Sequence, residues 1–431
     1  MNNSKNTYRI LWRWHFYAGL FCIPFLIILS ISGAIYLFTP QIEHMREADY
    51  VANSTSATRT LPAQQVEKAM GAVPGGQFQS YRLPQNNQDA IRVSVLKNNQ
   101  RYLVYVDPYT LDVMDVVAWD SRFIEWVKDL HGNLLAGNNG SLLVELAACW
   151  SIFLVLTGLY LWWPIESKGM AGVFYPRIRQ GGRRFWRDLH AVIGMWSSLL
   201  VLFLLITGLP WTQVWGSGFK ELRKSATQMT STDWTSNKKQ ELQTWRLQSN
   251  GYISLSEKAY QQAMALDFAA PAELSVSDET QQVWKLTSQA QNRPLRQNAW
   301  LDNYTGEVVK RNGFGDKALL DRVIGVGIAA HEGQLFGWAN QLLGVIVALA
   351  LLIMSVSGFV LWRKRKPPGR LGTPPKLQQQ KLSKSKGVIV LMLLLAALMP
   401  MLLISLIIIL VLETWLFPKL PKVQAFLGLT N

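Results

Sequence analysis

Four of the five histidines in this 431-residue chain stand beside an end of a long apolar stretch, and they form two matched pairs. His15 and His190 are each followed by one glycine 4 residues on and another 18 residues on. His131 and His331 are each followed by glycines 6 and 27 residues on and by a tryptophan 31 residues on. This constant spacing indicates an internal duplication, with the histidines at equivalent positions in its two halves.

The chemistry that these histidines favour is metal ligation. A polar ring at the boundary of an apolar segment is costly and usually functional. Imidazole ligates haem iron, and a helical bundle is a common place to hold a cofactor. A lone histidine would more often be an interfacial or hydrogen-bonded core residue, but four that obey a repeat favour haem. Zinc or copper is a weaker alternative, because no carboxylate or thiolate accompanies the histidines at a useful spacing.

The fifth histidine, the two cysteines and the glycines near the histidines have simpler interpretations. His44 has no repeat partner and is interpreted as an ordinary surface residue. Cys22 and Cys149 lie inside apolar runs, without the spacing of a disulfide framework or a thiolate site, and are interpreted as small buried residues. Gly19 and Gly194, one helical turn after a histidine, would either let a flat macrocycle approach the backbone or let two helices pack closely.

The elements that must position the histidines are membrane-spanning helices. The chain has a mean hydropathy of +0.10 and 18 tryptophans. Crossing a bilayer of about 30 Å takes roughly 20 apolar residues. Five stretches reach or pass that length, near 12–39, 140–163, 190–213, 338–362 and 387–417. The sequence therefore predicts an α-helical integral membrane protein with five transmembrane helices, four from the duplication and one C-terminal.

The net charge of +15 is concentrated in three segments, 1–13, 164–189 and 363–386, which together carry 18 basic and 2 acidic residues. These segments alternate with two nearly neutral ones, which is the positive-inside pattern of a membrane protein. We therefore expect the N-terminus and both basic loops to be cytoplasmic, next to anionic membrane lipid. The same distribution argues against nucleic acid as a partner.

The two long segments on the other side of the membrane each predict a small α+β module. Each has a helix candidate, 61–73 or 254–266, followed by strand-like runs. The strand-like runs are 90–96, 101–107 and 111–118 in the first segment, and 272–276, 281–288 and 298–302 in the second. A turn begins at Asp107 (DPYTLDV), before the third run of the first segment, and a parallel one begins at Asp302 (DNYTGEV), after the last run of the second, because Asp can bond the backbone ahead of it.

The duplication also predicts how the histidines pair. Both halves start on the cytoplasmic side, so a pseudo-twofold axis along the membrane normal would bring equivalent histidines together. His15 would face His190 at the cytoplasmic face, and His131 would face His331 at the outer face. Two bis-histidine b-type haems across the bilayer would then carry electrons outward from quinol or a cytoplasmic reductase. No dinucleotide-binding fingerprint is evident, so NAD(P)H is not expected to bind directly.

The residues at this point resemble the PepSY-associated transmembrane-helix family, also called iron-regulated membrane proteins. The resemblance rests on WRWHFYAGL and WRDLHAVIG at the helix starts, on DLHGNLL and AAHEGQLFG, and on the turns YVDPYTLDV and WLDNYTGEV, and it covers about 8–365. It implies a bacterial inner-membrane protein with two PepSY-like periplasmic modules and a role as a haem-containing reductase of ferric siderophores. It also implies that the four histidines are the axial ligands. Leu111 departs from the pattern, since the second module has Gly306 there.

The predicted boundaries follow from these patterns. They are 1–40 for the N-terminal segment and first span, 41–138 for module 1, 139–164 for the second span, 165–187 for a cytoplasmic loop, 188–215 for the third span, 216–334 for module 2, 335–363 for the fourth span, 364–386 for a cytoplasmic linker, 387–417 for the fifth span and 418–431 for a periplasmic tail. The last span is predicted as one helix with a kink at Pro400.

Two other function classes stay open. PepSY-like modules could bind a protein partner in a non-enzymatic regulator, and a duplicated helical unit could form a transporter. Transporters usually carry several charges within the membrane, whereas Glu145 is the main one here. The catalytic residues, the siderophore and the electron donor are not identified by the sequence.

Overall fold

The structure is a computed structural model, and it describes residues 2–52, 58–163, 169–227, 254–277, 281–374 and 386–429. The chain divides into two compact units. The helical unit comprises Met1–Ile35, Asp129–Gln228 and Leu342–Asn431, and the sheet unit comprises Tyr36–Lys128 and Met229–Gln341.

The described helices and strands alternate along the chain. The helices are α1 Asn2–Tyr36, α2 Thr39–Glu47, α3 Pro62–Ala72, α4 Phe123–Asn133, α5 Gly137–Trp162, α6 Gly182–Gly208, α7 Val214–Thr227, α8 Glu257–Ala265, α9 Leu319–His331, α10 Trp338–Arg365, α11 Lys386–Leu398, α12 Pro400–Val411 and α13 Pro421–Leu427. The strands are β1 Gln77–Arg82, β2 Ile91–Lys97, β3 Gln100–Val106, β4 Val113–Ala118, β5 Ala272–Val276, β6 Val283–Ser288, β7 Gln297–Asp302 and β8 Val308–Gly313.

Five helical segments of the described chain are long and apolar enough to cross a membrane, which confirms the predicted number. They are Thr7–Tyr36, Gly137–Trp162, Gly182–Trp211, Trp338–Arg365 and Pro400–Lys419. The third helix begins at Gly182, earlier than the predicted start near residue 188. The protein is therefore a membrane protein with an additional β-rich part.

The interior of the helical unit is apolar and aromatic. Cys22 and Cys149 are free thiols buried in this core, as the sequence predicts. The Trp14 and Trp150 rings stack with centroids 6.2 Å apart, and Phe153 packs edge-on against Trp150. Large flat side chains of this kind fill the space between helices and fix how α1 and α5 pack.

The C-terminal part of the chain differs from the predicted single span. The helix breaks at Met399, because a residue before proline is disfavoured in the helical region, and α12 starts at Pro400. At the break, the Trp215 indole donates to the Leu398 carbonyl (3.0 Å). Beyond α12, the chain returns to the opposite end of the helical unit, where Arg13 donates to the Gly428 carbonyl (3.1 Å) and Leu371 N–H donates to the Phe426 carbonyl (2.9 Å).

These contacts place residues 421–428 beside the start of α1. The predicted location of the tail, on the other side of the membrane from residues 1–13, is therefore wrong. The cause is local. The break before Pro400 turns the apolar run back, so its two parts lie along the helical unit in opposite directions.

The strands of both predicted modules form one antiparallel sheet in the order β4-β3-β2-β1-β5-β6-β7-β8. The two halves meet at β1 and β5, where Tyr81 is opposite Leu274 and Arg82 is opposite Glu273. In an isolated module, β1 or β5 would be an edge strand with unpaired backbone groups. Their pairing at this junction satisfies those groups. The sequence predicts neither β1 nor β8, and it predicts separate modules.

One face of the sheet is covered by α3 and α8. Alternate strand residues point to this face and are fully buried, among them Tyr81, Val93, Leu274, Trp284 and Leu301. The period of two that defines a half-buried strand explains this pattern. The core of the sheet unit therefore lies between the sheet and these two helices.

The two turns that the sequence singles out have the same geometry. Oδ1 of Asp107 accepts from the N–H groups of Tyr109 (2.8 Å) and Thr110 (3.2 Å). Oδ1 of Asp302 accepts in the same way from Tyr304 (2.9 Å) and Thr305 (2.8 Å). Leu111 and Gly306 both adopt a left-handed conformation, with φ of 63° and 79°. The departure at Leu111 therefore leaves the turn unchanged, although a left-handed leucine costs roughly 1–2 kcal/mol.

Candidate functional site

His15 and His190 face one another inside the helical unit. They lie on α1 and α6, their ring centroids are 6.4 Å apart, and their planes are nearly perpendicular at 89°. Two imidazoles that bind one iron from opposite sides, with iron–nitrogen bonds of about 2 Å, have centroids about 6 Å apart. An edge-on aromatic contact also falls in the range of about 4.5–7 Å, so the spacing alone does not decide between the two.

The hydrogen bonds of His15 fix which ring nitrogen carries the proton. Its Nδ1 lies 3.0 Å from the hydroxyl of Thr157. That hydroxyl donates its own proton to the Phe153 carbonyl (2.8 Å), so it accepts from His15. The proton of the neutral ring is therefore on Nδ1, and the lone pair that could bind a metal is on Nε2.

His190 has the same protonation pattern. Its Nδ1 donates to the Met354 carbonyl (3.0 Å), which can only accept, and lies 3.1 Å from the Ser357 hydroxyl. Ser357 donates to the same carbonyl (3.0 Å), so its oxygen also acts as an acceptor for the ring. Metal-bound histidines in proteins are oriented by a second bond of this kind.

His131, the third predicted ligand, lies in the helical unit and is oriented in the same way. Its Nδ1 is 3.0 Å from the Ser32 hydroxyl, which donates to the Ile28 carbonyl (2.8 Å). Burial lowers the pKa of His131 from its ordinary value, which favours the neutral imidazole. A neutral ring with a free Nε2 is the form that binds iron.

A hydroxyl–glycine dipeptide recurs in four of the apolar helices and supplies these contacts. The four dipeptides are Ser32-Gly33, Thr157-Gly158, Thr207-Gly208 and Ser357-Gly358. In three of them the hydroxyl bonds a histidine. A Cβ built on the adjacent glycine would lie 3.0 Å (Gly33), 3.3 Å (Gly158) and 3.4 Å (Gly358) from the Cε1 atom of that same histidine. The dipeptide therefore provides both the acceptor and the space for the ring.

These hydroxyls are functional candidates that the sequence reasoning missed. The signal was present, since Thr207 follows Ser32 at the offset of 175 that separates His15 from His190, and Ser357 follows Thr157 at the offset of 200 that separates His131 from His331. The glycines one turn after the histidines have another role. A Cβ on Gly19 would meet Leu154 at 3.8 Å and one on Gly194 would meet Met354 at 3.2 Å, which favours close helix packing.

The other predicted histidines belong to the sheet unit. His331 is the last residue of α9 in the sheet unit, so its predicted pairing with His131 stays a prediction. His44 is exposed on α2, as the sequence predicts. Within the described ranges, no three His, Cys, Asp or Glu side chains come together as a metal-binding group.

Two carboxylates are buried on the described apolar helices, Glu145 and Asp188. Asp188 forms ion pairs with Arg177 and Arg187, whereas the partners of Glu145 are backbone groups. Glu145 is fully buried and accepts from the N–H groups of Val214 (2.8 Å) and Trp215 (2.9 Å). These are the first residues of α7, whose unpaired N–H groups carry partial positive charge. Glu145 is therefore a helix cap.

The donor set tests whether a haem fits here. His15, His190 and His131 each present a lone pair on Nε2, and the first two lie at the separation that axial ligation of one iron requires. Close to this pair, the Arg365 guanidinium lies 4.6 Å from the Phe16 ring centroid and 5.4 Å from that of Trp12. These residues fit the group.

The comparison with known families agrees with the motifs around the histidines. No curated protein matches the chain. The family model described as the PepSY-associated TM region matches residues 12–365, which include all four paired histidines and the four hydroxyl–glycine dipeptides. The match covers most of the chain, and the protein therefore belongs to the family defined by the PepSY-associated transmembrane region.

Proposed function

We propose that this protein is a haem-containing reductase of the bacterial inner membrane that passes electrons across the bilayer to periplasmic ferric iron. The observation that carries the proposal is the facing pair of His15 and His190, at 6.4 Å, with the lone pair of both rings directed to Nε2 by the bonds at Nδ1. A bound b-type haem supplies one-electron redox chemistry between Fe(III) and Fe(II).

The chain's own residues would then have distinct roles. His15 and His190 would hold one haem iron. Thr157, Ser357 and the Met354 carbonyl keep the proton on Nδ1 and the rings in place. Arg365, beside Phe16, is suited to a carboxylate of the cofactor because its Nε has no hydrogen-bond partner in the described part of the chain. The surrounding apolar helices exclude water from the site.

The second site is proposed at His131 and His331, by the internal duplication that equates them. The positive-inside pattern supports an orientation with His15 and His190 near the cytoplasmic face and the two PepSY-like modules in the periplasm. The substrate is ferric iron, most simply a ferric siderophore. One electron converts each Fe(III) to Fe(II), which such chelators bind weakly, and the iron becomes available for uptake. The donor is quinol or a cytoplasmic reductase.

The test is the pigment of the purified full-length protein. We expect a b-type signal in the dithionite-reduced minus oxidised absorption spectrum, with two haems per chain released by pyridine and none held by thioether bonds. His190→Ala should remove one haem, and His44→Ala, on an exposed residue, should remove none. A colourless wild-type protein would contradict the proposal and favour a non-enzymatic regulator that binds a partner through its sheet.

Reductase activity needs a separate measurement. Under anaerobic conditions, the reduced protein should be reoxidised by a ferric siderophore, with Fe(II) captured by a colorimetric chelator at one iron per electron lost. Uptake of labelled iron into sealed vesicles without any reductant would instead favour a transporter. His190→Ala and His44→Ala again serve as the affected and the unaffected variant.

A further inference from the structure

The two halves of the sheet differ on the face opposite α3 and α8. On the first half, Glu47 at the end of α2 forms ion pairs with Arg82 and Arg92 on this face. On the second half, a group of polar and basic side chains stands instead, which we name the Trp300 surface. It consists of Lys285, Asn298, Trp300, Lys310 and Asn312.

Two lysines of the Trp300 surface converge on one ring. Lys285, Trp300 and Lys310 are direct neighbours across β6, β7 and β8. The Nζ atoms of the two lysines lie 5.4 Å and 5.2 Å from the centroid of the Trp300 ring. The two ammonium groups are therefore no more than about 11 Å apart. Of the residues that the structure describes, none is an acidic partner to either lysine.

The equivalent positions of the first half show how such a group is neutralised. Arg92, Tyr105 and Asp115 occupy the same three places in the register of β2, β3 and β4. Arg92 forms ion pairs at 3.0 Å with both Glu47 and Glu273. The Tyr105 hydroxyl donates to Glu47 (3.1 Å).

On the first half, then, the cation at this position is neutralised by two carboxylates within the protein. The second half keeps two cations on the same face of the sheet and supplies no anion from the described residues. The aliphatic stems of lysines often cover a tryptophan, which explains why the stems lie there. Each ammonium is also attracted to the ring by a cation–π contact. Together the two cations give this face of the sheet a positive potential that an anionic ligand would neutralise.

We propose that the Trp300 surface binds the substrate's chelator, and that the chelate it takes is a compact polyanion with carboxylate or catecholate oxygens. This inference rests on the proposed function for its substrate, and it narrows the substrate class. Two ammonium groups within about 11 Å match the span of a metal complex that presents several anionic oxygens. A neutral trihydroxamate chelate offers no such charge.

The surface belongs to the part of the sheet unit that leads to His331. The loop between β6 and β7 contacts the chain just after that histidine. Asn292 donates to the Leu335 carbonyl (3.4 Å), and Arg293 lies 3.9 Å from the Glu332 carboxylate. Strand β7, which carries Trp300, begins four residues after Arg293. A ligand on the Trp300 surface would thus be bound by the strand that this loop anchors to the end of α9.

The binding test uses gallium complexes, because gallium(III) resembles iron(III) in size and charge and is not reduced. The full-length protein is titrated calorimetrically with trianionic gallium tris-catecholate and with a neutral gallium trihydroxamate. We expect the wild type to bind the trianion more tightly. The variant with both Lys285→Gln and Lys310→Gln should bind the trianion roughly tenfold more weakly, with a smaller dependence on salt, because it lacks two exposed cations that contact the trianion.

The control is Lys317→Gln, which removes one charge from a lysine that lies 5.8 Å over Phe314 in the same unit. It should leave trianion binding unchanged, and thermal unfolding checks that all variants fold. No trianion binding by the wild type, or no change in the double variant, overturns the inference. So does equal loss in Lys317→Gln, or an effect confined to anionic lipid vesicles, which would assign the surface to lipid headgroups. Haem content decides the proposed function separately, because gallium binding requires no electron transfer.

Discussion

Replacing Thr157 by valine should weaken cofactor binding at the His15–His190 pair, although valine has nearly the shape of threonine. The change removes only the oxygen that accepts from His15 Nδ1 at 3.0 Å. Thr157 is fully buried, so water has no direct access to replace the lost acceptor. The His15 ring would then be left with an unsatisfied N–H, or it would change tautomer and place its proton on Nε2.

The expected magnitude follows from the hydrogen bond. Leaving a buried donor without an acceptor costs about 1–3 kcal/mol. Loss of a bond that orients a metal-bound histidine typically weakens metal binding by about 10–100-fold, which agrees with that range. We therefore expect Thr157→Val to retain close to one haem per chain after gel filtration, where the wild type retains two.

The assay is the haem-to-protein ratio, together with the rate at which an apo-globin scavenger removes haem. Thr157→Ser, which keeps the hydroxyl, should behave like the wild type. Thr414→Val is a second control, because among the described residues the Thr414 hydroxyl bonds only the Leu410 and Val411 carbonyls of the preceding turn. If Thr157→Val keeps both haems and loses them no faster than Thr157→Ser, the Thr157 hydroxyl does not orient a ligand and the reasoning fails.

Further predictions concern packing, capping, acidity and topology. Gly33→Ala should reduce haem content at the His131 site because its Cβ would lie 3.0 Å from the imidazole, whereas Gly19→Ala on the same helix meets only Leu154 at 3.8 Å and should have no effect. Glu145→Gln should lower the free energy of unfolding by about 1–3 kcal/mol, read as a lower Tm, since one of the two N–H groups of α7 loses its acceptor; an unchanged Tm would exclude the capping role. In Glu47 and Glu273, burial raises the carboxyl pKa, but the neighbouring arginines outweigh it and the net pKa is lowered. Their stabilising effect is therefore complete above the unfolded pKa of about 4.3 and is lost as the pH falls below it, so the Tm of the wild type should fall on acidification more steeply than that of Glu47→Gln. A fluorescent reporter fused after Leu429 should report the same side of the membrane as one fused before residue 7, because Arg13 binds the Gly428 carbonyl; opposite sides would refute that contact.

Much of the helical unit could be predicted because its signals are local in the sequence. A run of about 20 apolar residues has few alternatives to a spanning helix. The equal spacing around His15 and His190 places both rings at the same depth of parallel helices, and the structure brings them to 6.4 Å. The prediction for the C-terminal run was wrong for a local reason too: the run is too long for one straight span and too short for two, and the helix breaks at Met399.

The strand pairing of the sheet and the hydrogen bonds that orient the histidines could not be predicted, because both depend on residues far apart in the sequence. Strand β1 has little alternation in its sequence and is defined by its pairing with β2 and β5. Ser32 and Thr157 look like ordinary helix hydroxyls bonded to their own backbone, until another helix brings an imidazole within 3.0 Å. The sequence by itself determined the membrane class and predicted the repeat and the candidate ligands, because apolar length and residue spacing can be read directly along the chain. Only the tertiary structure decided which ring nitrogens carry the proton, that the strands of both modules form one sheet, and that two lysines lie beside Trp300. Hydrogen bonds and counter-charges between segments far apart in the sequence become visible only once the chain is folded.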